Sequence, residues 1–206
     1  MTTTFRRSPL ALAILGLLED GPLHPYAMQQ LIKQWGKDQV INVGQRASLY
    51  KMINRLCESG LIKVRETTRD HQYPERTSYE LTDAGRAASR QWMAEILSTP
   101  RNEFPEFPAA LSFLPMLTPD ATLGLLANRR ELLVQRLAER DAAIATELEG
   151  FQIPRVTMLE TEYLRAVTQA ELNWIDEILA GLRDGTITWS REQLQAVAAQ
   201  WADHAR

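Results

Sequence analysis

The segment QRASLYKMINRLCESGL, residues 45–61, is the one from which the rest of the chain can be understood. Leu49, Met52, Ile53, Leu56 and Cys57 recur at steps of three and four, so they share one side of a helix, and Gly60 stops it. The other side carries Ser48, Tyr50, Lys51, Asn54 and Arg55, with Glu58 as its one acid. Such a face suits the DNA major groove: the groove admits one helix, its phosphates attract Lys and Arg, and its base edges pair with amides and hydroxyls. An ordinary solvated helix face would look the same. The flanking segments decide between the two.

Upstream, Ser8-Pro9 is a helix-start signal, a side-chain cap followed by a residue with φ preset and no amide hydrogen. The run 10–18 is almost wholly apolar and closes at Gly21-Pro22, which predicts a helix buried on more than one side, by its own domain and by a partner copy as a second candidate. Residues 1–7 read as a loose arm in which Arg6 and Arg7 keep the terminus solvated, phosphate contact being the other reading. A second helix begins near His24-Pro25 and runs through Tyr26, Met28, Leu31, Ile32 and Trp35 to Gly36, with Tyr26 and Trp35 as core fillers and His24 as a local hydrogen bonder. Val40-Ile41-Asn42-Val43 then suggests a small strand. Three helices in succession make a helix-turn-helix of the extended kind.

Downstream, residues 61–66 alternate apolar and polar, a polar stretch runs through Asp70-His71, and residues 76–81 alternate again. This is the pattern of a β-hairpin. Directly after a three-helix unit it reads as the wing of a winged helix, whose tip offers Arg69, His71 and Arg76 to a phosphate backbone; a plain surface hairpin is the alternative.

Residues 9–86 resemble the N-terminal domain of the PadR family of bacterial transcriptional regulators. The resemblance is carried by LLEDGPLHPYAM at the end of the first helix, by SLYKMINRLCESGLI, and by PERTSYELTDAGR at the closing strand and next helix start. Pro25 stands where the family often has glycine, a comfortable exchange in the first turn of a helix. The resemblance implies a winged-helix fold, dimeric binding to a palindromic operator on double-stranded DNA, and repression released by a small-molecule effector. It assigns base reading to Ser48, Tyr50, Lys51 and Asn54 and phosphate contact to Arg46 and Arg55, with Gln45 at the head of the set; Tyr50, bordering the apolar face, is also readable as half core.

The net charge of −3 would argue against a nucleic-acid partner if it were evenly spread, but it is not. Residues 1–99 hold 13 Lys+Arg against 10 Asp+Glu, a balance of +3, whereas residues 100–206 hold 10 against 16, a balance of −6. A basic front half suggests that this half meets the polyanion.

Thr82 caps a fourth helix, residues 83–97, with Trp92, Ile96 and Leu97 as apolar anchors and Pro100 as its end. Residues 101–119 contain four of the ten prolines and mark the boundary between a DNA-binding domain, 1–99, and a dimerisation and effector-response domain, 100–206. Between those prolines 109–117 can form only a short helix, and Phe104 and Phe107 need covering. Thr118-Pro119-Asp120 opens a helix of about thirty residues, on which Leu126, Leu133, Leu137, Ile144, Leu148 and Phe151 keep steps of three, four and seven. Pro154 opens another, with Val156, Leu159, Tyr163, Val167, Ala170, Trp174, Ile178 and Leu182 in the same rhythm, closed by Gly181 and Gly185. Two such helices predict an antiparallel hairpin that pairs with the same hairpin of a second subunit through Leu126, Leu133, Leu137, Ile144, Leu148, Tyr163, Val167, Trp174 and Ile178. This half resembles the α-helical C-terminal domain of PadR proteins through FPAALSFLPMLTP and AELNWIDEILAGL. A last helix, 190–204, carries Leu194, Val197 and Trp201 and clasps either the partner or its own chain. Trp92, Phe107, Tyr163 and Trp174 are candidates for an effector pocket, with plain core packing as the other reading.

Other classes fit poorly. No dinucleotide or phosphate-loop glycine pattern occurs, and Glu160, Glu162 and Glu171 have no histidine nearby to suggest a metal, so no enzyme activity and no cofactor are expected. One cysteine excludes an internal disulfide, and His24, His71, His204 and Cys57 form no ligand cluster. No apolar run approaches the roughly 20 residues of a membrane span, and residues 1–8 are too short and polar for a signal peptide, so a cytoplasmic location with no membrane partner is expected. The fold class follows: mainly α, an N-terminal winged helix-turn-helix with a small β-hairpin wing and long antiparallel C-terminal helices. A winged-helix protein-interaction adaptor and a DNA-binding protein without ligand remain as rival functions.

Overall fold

The computed structural model describes residues 5–70, 73–150 and 154–204. The chain divides into two compact units, Met1–Asn102 and Glu103–Arg206.

In the first unit, α1 (Pro9–Leu17) begins where the Ser8 hydroxyl oxygen accepts the Ala11 amide hydrogen at 3.2 Å and Pro9 fills the first turn. Its own unit covers the greasy run on more than one side: Ala11, Ile14, Leu15 and Leu18 are buried, and Leu10, Leu12 and Leu17 pack half-buried on the same core. In α2 (Pro25–Gln34) the cap is His24, whose Nδ1 accepts the Ala27 amide hydrogen at 3.0 Å. That is the local role the sequence suggested. α3 (Arg46–Glu58) sends Leu49, Ile53 and Leu56 into the core beside Ile14, Leu15 and Met28. Each such side chain stabilises the unit by roughly 1.5–3 kcal/mol relative to exposure.

The end of α3 sets up the wing. Gly60, at φ +70°, donates its amide hydrogen to Cys57 O at 2.9 Å, and Leu61 donates to Leu56 O at 3.0 Å. This is the paired closure of a Schellman motif, with Leu56 and Leu61 together in the core. The hairpin follows as β1 (Ile62–Asp70) and β2 (Tyr73–Leu81), antiparallel, with Ile62 opposite Leu81, Lys63 opposite Glu80 and Val64 opposite Tyr79. The register then shifts between Val64 and Glu66, leaving Arg65 as the extra residue of a bulge. Both strands outrun the alternating stretches 61–66 and 76–81, because Thr67 pairs with Thr77 and Thr68 with Arg76. Backbone pairing at an exposed hairpin needs no apolar face. A further pairing, Leu23 with Tyr79, has both amide bonds near 3 Å and adds a minimal third strand that no alternating pattern announced. α4 (Asp83–Ser98) is tied in by Thr82, whose hydroxyl donates to Leu61 O at 2.9 Å and accepts from the Gly85 amide at 3.0 Å. The arrangement is a winged helix-turn-helix.

Several expectations need correction. Residues 40–43 form no strand: a 3-10 turn at Lys37–Gln39 leads into irregular backbone, and Val43 is buried with its carbonyl bonded at 3.1 Å by the Gln29 side chain. Tyr26 and Trp35 are 53% and 55% exposed, Tyr26 because it falls on the side of α2 away from Met28 and Ile32 and Trp35 because it is the C-cap, past the last helical residue. Of the arm, Arg6 is exposed as expected, but Phe5 packs against the core and Arg7 pairs with Glu95 of α4. On α4 only Trp92 is an anchor, Ile96 and Leu97 being exposed near the end of the helix.

In the second unit, α5 (Glu106–Ser112) and a 3-10 turn (Leu114–Met116) precede α6 (Pro119–Gly150) and α7 (Leu159–Asp184). Pro154 is not the first residue of α7; a separate 3-10 turn, Arg155–Thr157, intervenes. Gly185 caps α7 at φ +79°, whereas Gly181 lies inside it, where Ile187 packs so closely that an added Cβ would come within 2.7 Å of its side chain. α6 and α7 run antiparallel, as the ladder of pairs Arg129–Glu171, Arg130–Asp176 and Asp141–Arg165 requires. Leu126, Leu133, Leu172, Ile175 and Leu179 form the seam between them. α8 (Arg191–His204) starts from a reciprocal cap: Ser190 Oγ accepts the Gln193 amide at 3.2 Å, and the Gln193 side chain accepts the Ser190 amide at 2.9 Å. The Trp189 indole donates to Leu117 O at 2.9 Å, fixing the approach to α8. Phe151 lies outside the described residues, as do the side chains of Leu148, Val197 and Trp201.

Candidate nucleic-acid interface

α3 sorts its residues by period. Leu49, Ile53 and Leu56 are buried, Met52 and Cys57 half-buried, and Gln45, Arg46, Ser48, Tyr50, Lys51, Asn54 and Arg55 all exposed. At about 100° per residue, Ala47, Lys51, Asn54 and Glu58 occupy the middle of the outer face, with Tyr50 along one edge and Ser48 and Arg55 along the other. Tyr50 is half exposed, so its ring is not core. Ala47 is the residue that a search for polar groups overlooks: a bare methyl at the first exposed turn lets a partner approach closely and can meet a thymine methyl. Burial, with Glu58 adding to it, pushes the Cys57 thiol above its ordinary value, which makes it a packing residue rather than a nucleophile.

The cations near this helix differ in their engagement. No carboxylate among the described residues pairs with Arg46 or Lys51. On the wing, by contrast, the one carboxylate of Glu80 is shared by Lys63 at 3.0 Å and Arg65 at 3.5 Å. Arg55 sits over the Phe5 ring, 5.1 Å from its centre. Of the wing-tip residues, His71 lies outside the described residues, as do the side chains of Arg69 and Arg76; Arg69 lies within β1, and Arg76 within β2 opposite Thr68.

In the second unit the residues grouped for a subunit seam separate into two sets. Leu126 and Leu133 are 5% and 4% exposed inside the hairpin of the same chain, with Leu137 and Ile178 packed beside them. Leu126 and Leu133 fill the α6–α7 core of their own chain, while Leu137 and Ile178 are partly buried at its margin. Ile144 is half-buried. Tyr163, Val167 and Trp174 are exposed, as are Leu125 and Leu132, which the sequence reading passed over. The four aromatic residues proposed for a pocket divide between the units, Trp92 in the first and Phe107, Tyr163 and Trp174 in the second. Trp92 is stacked on Phe5 in the core of the first unit. Phe107 and Trp174 do meet edge to face at 6.1 Å, with the Arg129 guanidinium 3.6 Å from the Phe107 ring centre. Tyr163 is three turns back along α7 and 67% exposed.

Among the described residues no group of His, Cys, Asp and Glu could hold a metal ion, and no helix is long and apolar enough to cross a membrane. The profile of the transcriptional regulator PadR-like family matches residues 14–91, from within α1 to within α4. Bacillus subtilis PadR solved in complex with operator DNA is similar at a TM-score of 0.67 and 22% identity, over 85% of this chain and 99% of that one. B. subtilis PadR in complex with p-coumaric acid gives 0.62 at 20% identity, over 86% and 99%. The Vibrio cholerae virulence activator AphA gives 0.62 at 22% identity, over 85% and 98%. At such identities the likeness is one of fold. No curated protein sequence matches. Residues 14–91, the winged-helix segment, thus match the PadR-like family of transcriptional regulators, and the fold of the chain is that of the solved PadR proteins.

Proposed function

We propose that this protein is a homodimeric repressor that binds a palindromic operator through α3 and is released by a small aromatic effector. The observation that carries the reading is the outer face of α3, where Arg46, Ser48, Lys51 and Asn54 stand exposed on a helix whose other side is locked in the core. Lys51 and Asn54 reach base edges in the major groove, Arg46 and Arg55 meet phosphates, and Arg69, His71 and Arg76 of the wing extend the contact along the backbone. Two copies present two such helices about 34 Å apart, one turn of DNA, and the second unit supplies the dimer contact. Such a protein acts in the cytoplasm, where the operator is, and needs no cofactor.

Release requires only that the effector bind better to a dimer whose α3 helices are misplaced; its preference sets the size of the effect. B. subtilis PadR was solved with p-coumaric acid, and here Phe107 and Trp174 bring two rings together edge to face, a suitable surface for an aromatic ring. The same fold also occurs in a virulence activator; the position of the operator relative to the promoter sets the sign.

The test is a titration of the purified protein against the DNA upstream of its own gene at two salt concentrations, alone and with p-coumaric acid as probe. Specific binding that weakens steeply with salt is expected. Binding to a protein partner that survives high salt, with no duplex selected from a random pool, would show an adaptor instead.

A further inference from the structure

We infer that Phe5 is a positioning residue for Arg55, an inference that rests on the DNA-binding reading of α3. The Phe5 ring stacks on Trp92 of α4, centroids 5.6 Å apart and planes 19° from parallel, and the Arg55 guanidinium carbon lies 5.1 Å from the centre of that same ring. Arg7, two residues on, forms an ion pair with Glu95, less than a turn beyond Trp92 on α4. The arm is thus held to α4 at two points and presents an aromatic surface to a cation of the reading helix. A guanidinium within about 6 Å of a ring centre is attracted to the ring. An arginine so held has fewer rotamers to lose when it meets a phosphate. Arg6, between the two anchored residues, is exposed. A filler residue would need only volume at position 5; this role needs a ring.

The experiment compares wild type, Phe5→Leu, Phe5→Tyr, Arg55→Gln and the Phe5→Leu/Arg55→Gln double variant. Each is titrated over a salt series against the tightest-binding duplex that the wild-type protein selects from a random-sequence pool. Phe5→Leu is expected to weaken binding about two- to fivefold and to lower the dependence of log affinity on log salt toward that of Arg55→Gln, which loses about one phosphate contact. Phe5→Tyr restores both, and the double variant binds no worse than Arg55→Gln alone. The salt slope is the readout that a merely structural role would leave unchanged. In the wild type, a ring-current upfield shift of the Arg55 δ protons relative to those of Arg46 reports the same contact without any variant, should Phe5→Leu fail to fold. Wild-type binding with losses that add independently, or with an unchanged slope in Phe5→Leu, overturns the role of Phe5 and leaves the function standing. A wild-type protein that selects no duplex overturns the proposed function and this role with it.

Discussion

Among the described glycines of the first unit, Gly85 is the most closely packed. A Cβ there would lie 2.0 Å from Leu61 O and 2.7 Å from Leu81 Cδ1, and the carbonyl, being backbone and already bonded to Thr82, cannot give way. Gly85→Ala should therefore destabilise by about 3 kcal/mol, the upper range for overpacking a closed site. At Gly60 space is open but φ is +70°, so Gly60→Ala should cost about 1 kcal/mol of left-handed strain. Gly16, exposed in α1 with open space around it, should gain up to about 1 kcal/mol as Ala. Urea midpoints followed by circular dichroism check the ranking, and a Gly85→Ala midpoint above that of Gly60→Ala would contradict it. Gly60 was legible in the sequence because a helix stop is a local event. Gly85 was not, since the atom that forbids a side chain belongs to a residue 24 positions earlier.

α3 is the element on which function is argued, and its two faces were readable because helix period and burial agree. Arg46→Ala with Lys51→Ala is expected to weaken operator binding roughly a hundredfold, at about 1.5 kcal/mol for each charged contact. The same change should reduce the salt slope by about one, through the phosphate contact of Arg46, without moving the thermal midpoint. Unchanged affinity would remove the proposed face. Asn54→Ala should differ in kind, relaxing preference at one base pair by about 1–3 kcal/mol while leaving the slope intact, which binding-site selection would reveal. The partners of α3 were less legible. Val43 has β-branched neighbours and so reads as part of a strand, yet its backbone is irregular and a buried carbonyl bond from Gln29 holds it instead. Leu23, alone between Pro22 and His24, gave no alternating signal, though it completes the sheet through Tyr79. Pairing that consists of two backbone hydrogen bonds leaves almost no trace in side-chain pattern.

At the scale of the whole molecule the proposed dimer depends on apolar surface left over after each unit has closed its own core. A pattern of threes, fours and sevens marks every apolar residue of a long helix alike, and cannot tell which stripe faces the sister helix and which faces a second chain. Folding makes the distinction: Leu133 lies in the α6–α7 seam beside Leu172 and Ile175, whereas Leu132 and Val167 remain exposed. Two variants with similar chemistry should then fail differently. Leu133→Glu places an unpaired carboxylate in the seam and should unfold the hairpin, lowering its helical circular dichroism. Leu132→Glu with Val167→Glu puts two charges on solvated positions, so the chain should keep its helix content and its thermal midpoint per chain while sedimenting as a monomer. Because two linked half-sites bind far more tightly than one, that monomer should lose most of its operator affinity although every residue of α3 is intact. A Leu132→Glu/Val167→Glu protein that still sediments as a dimer would move the subunit contact away from these helix faces.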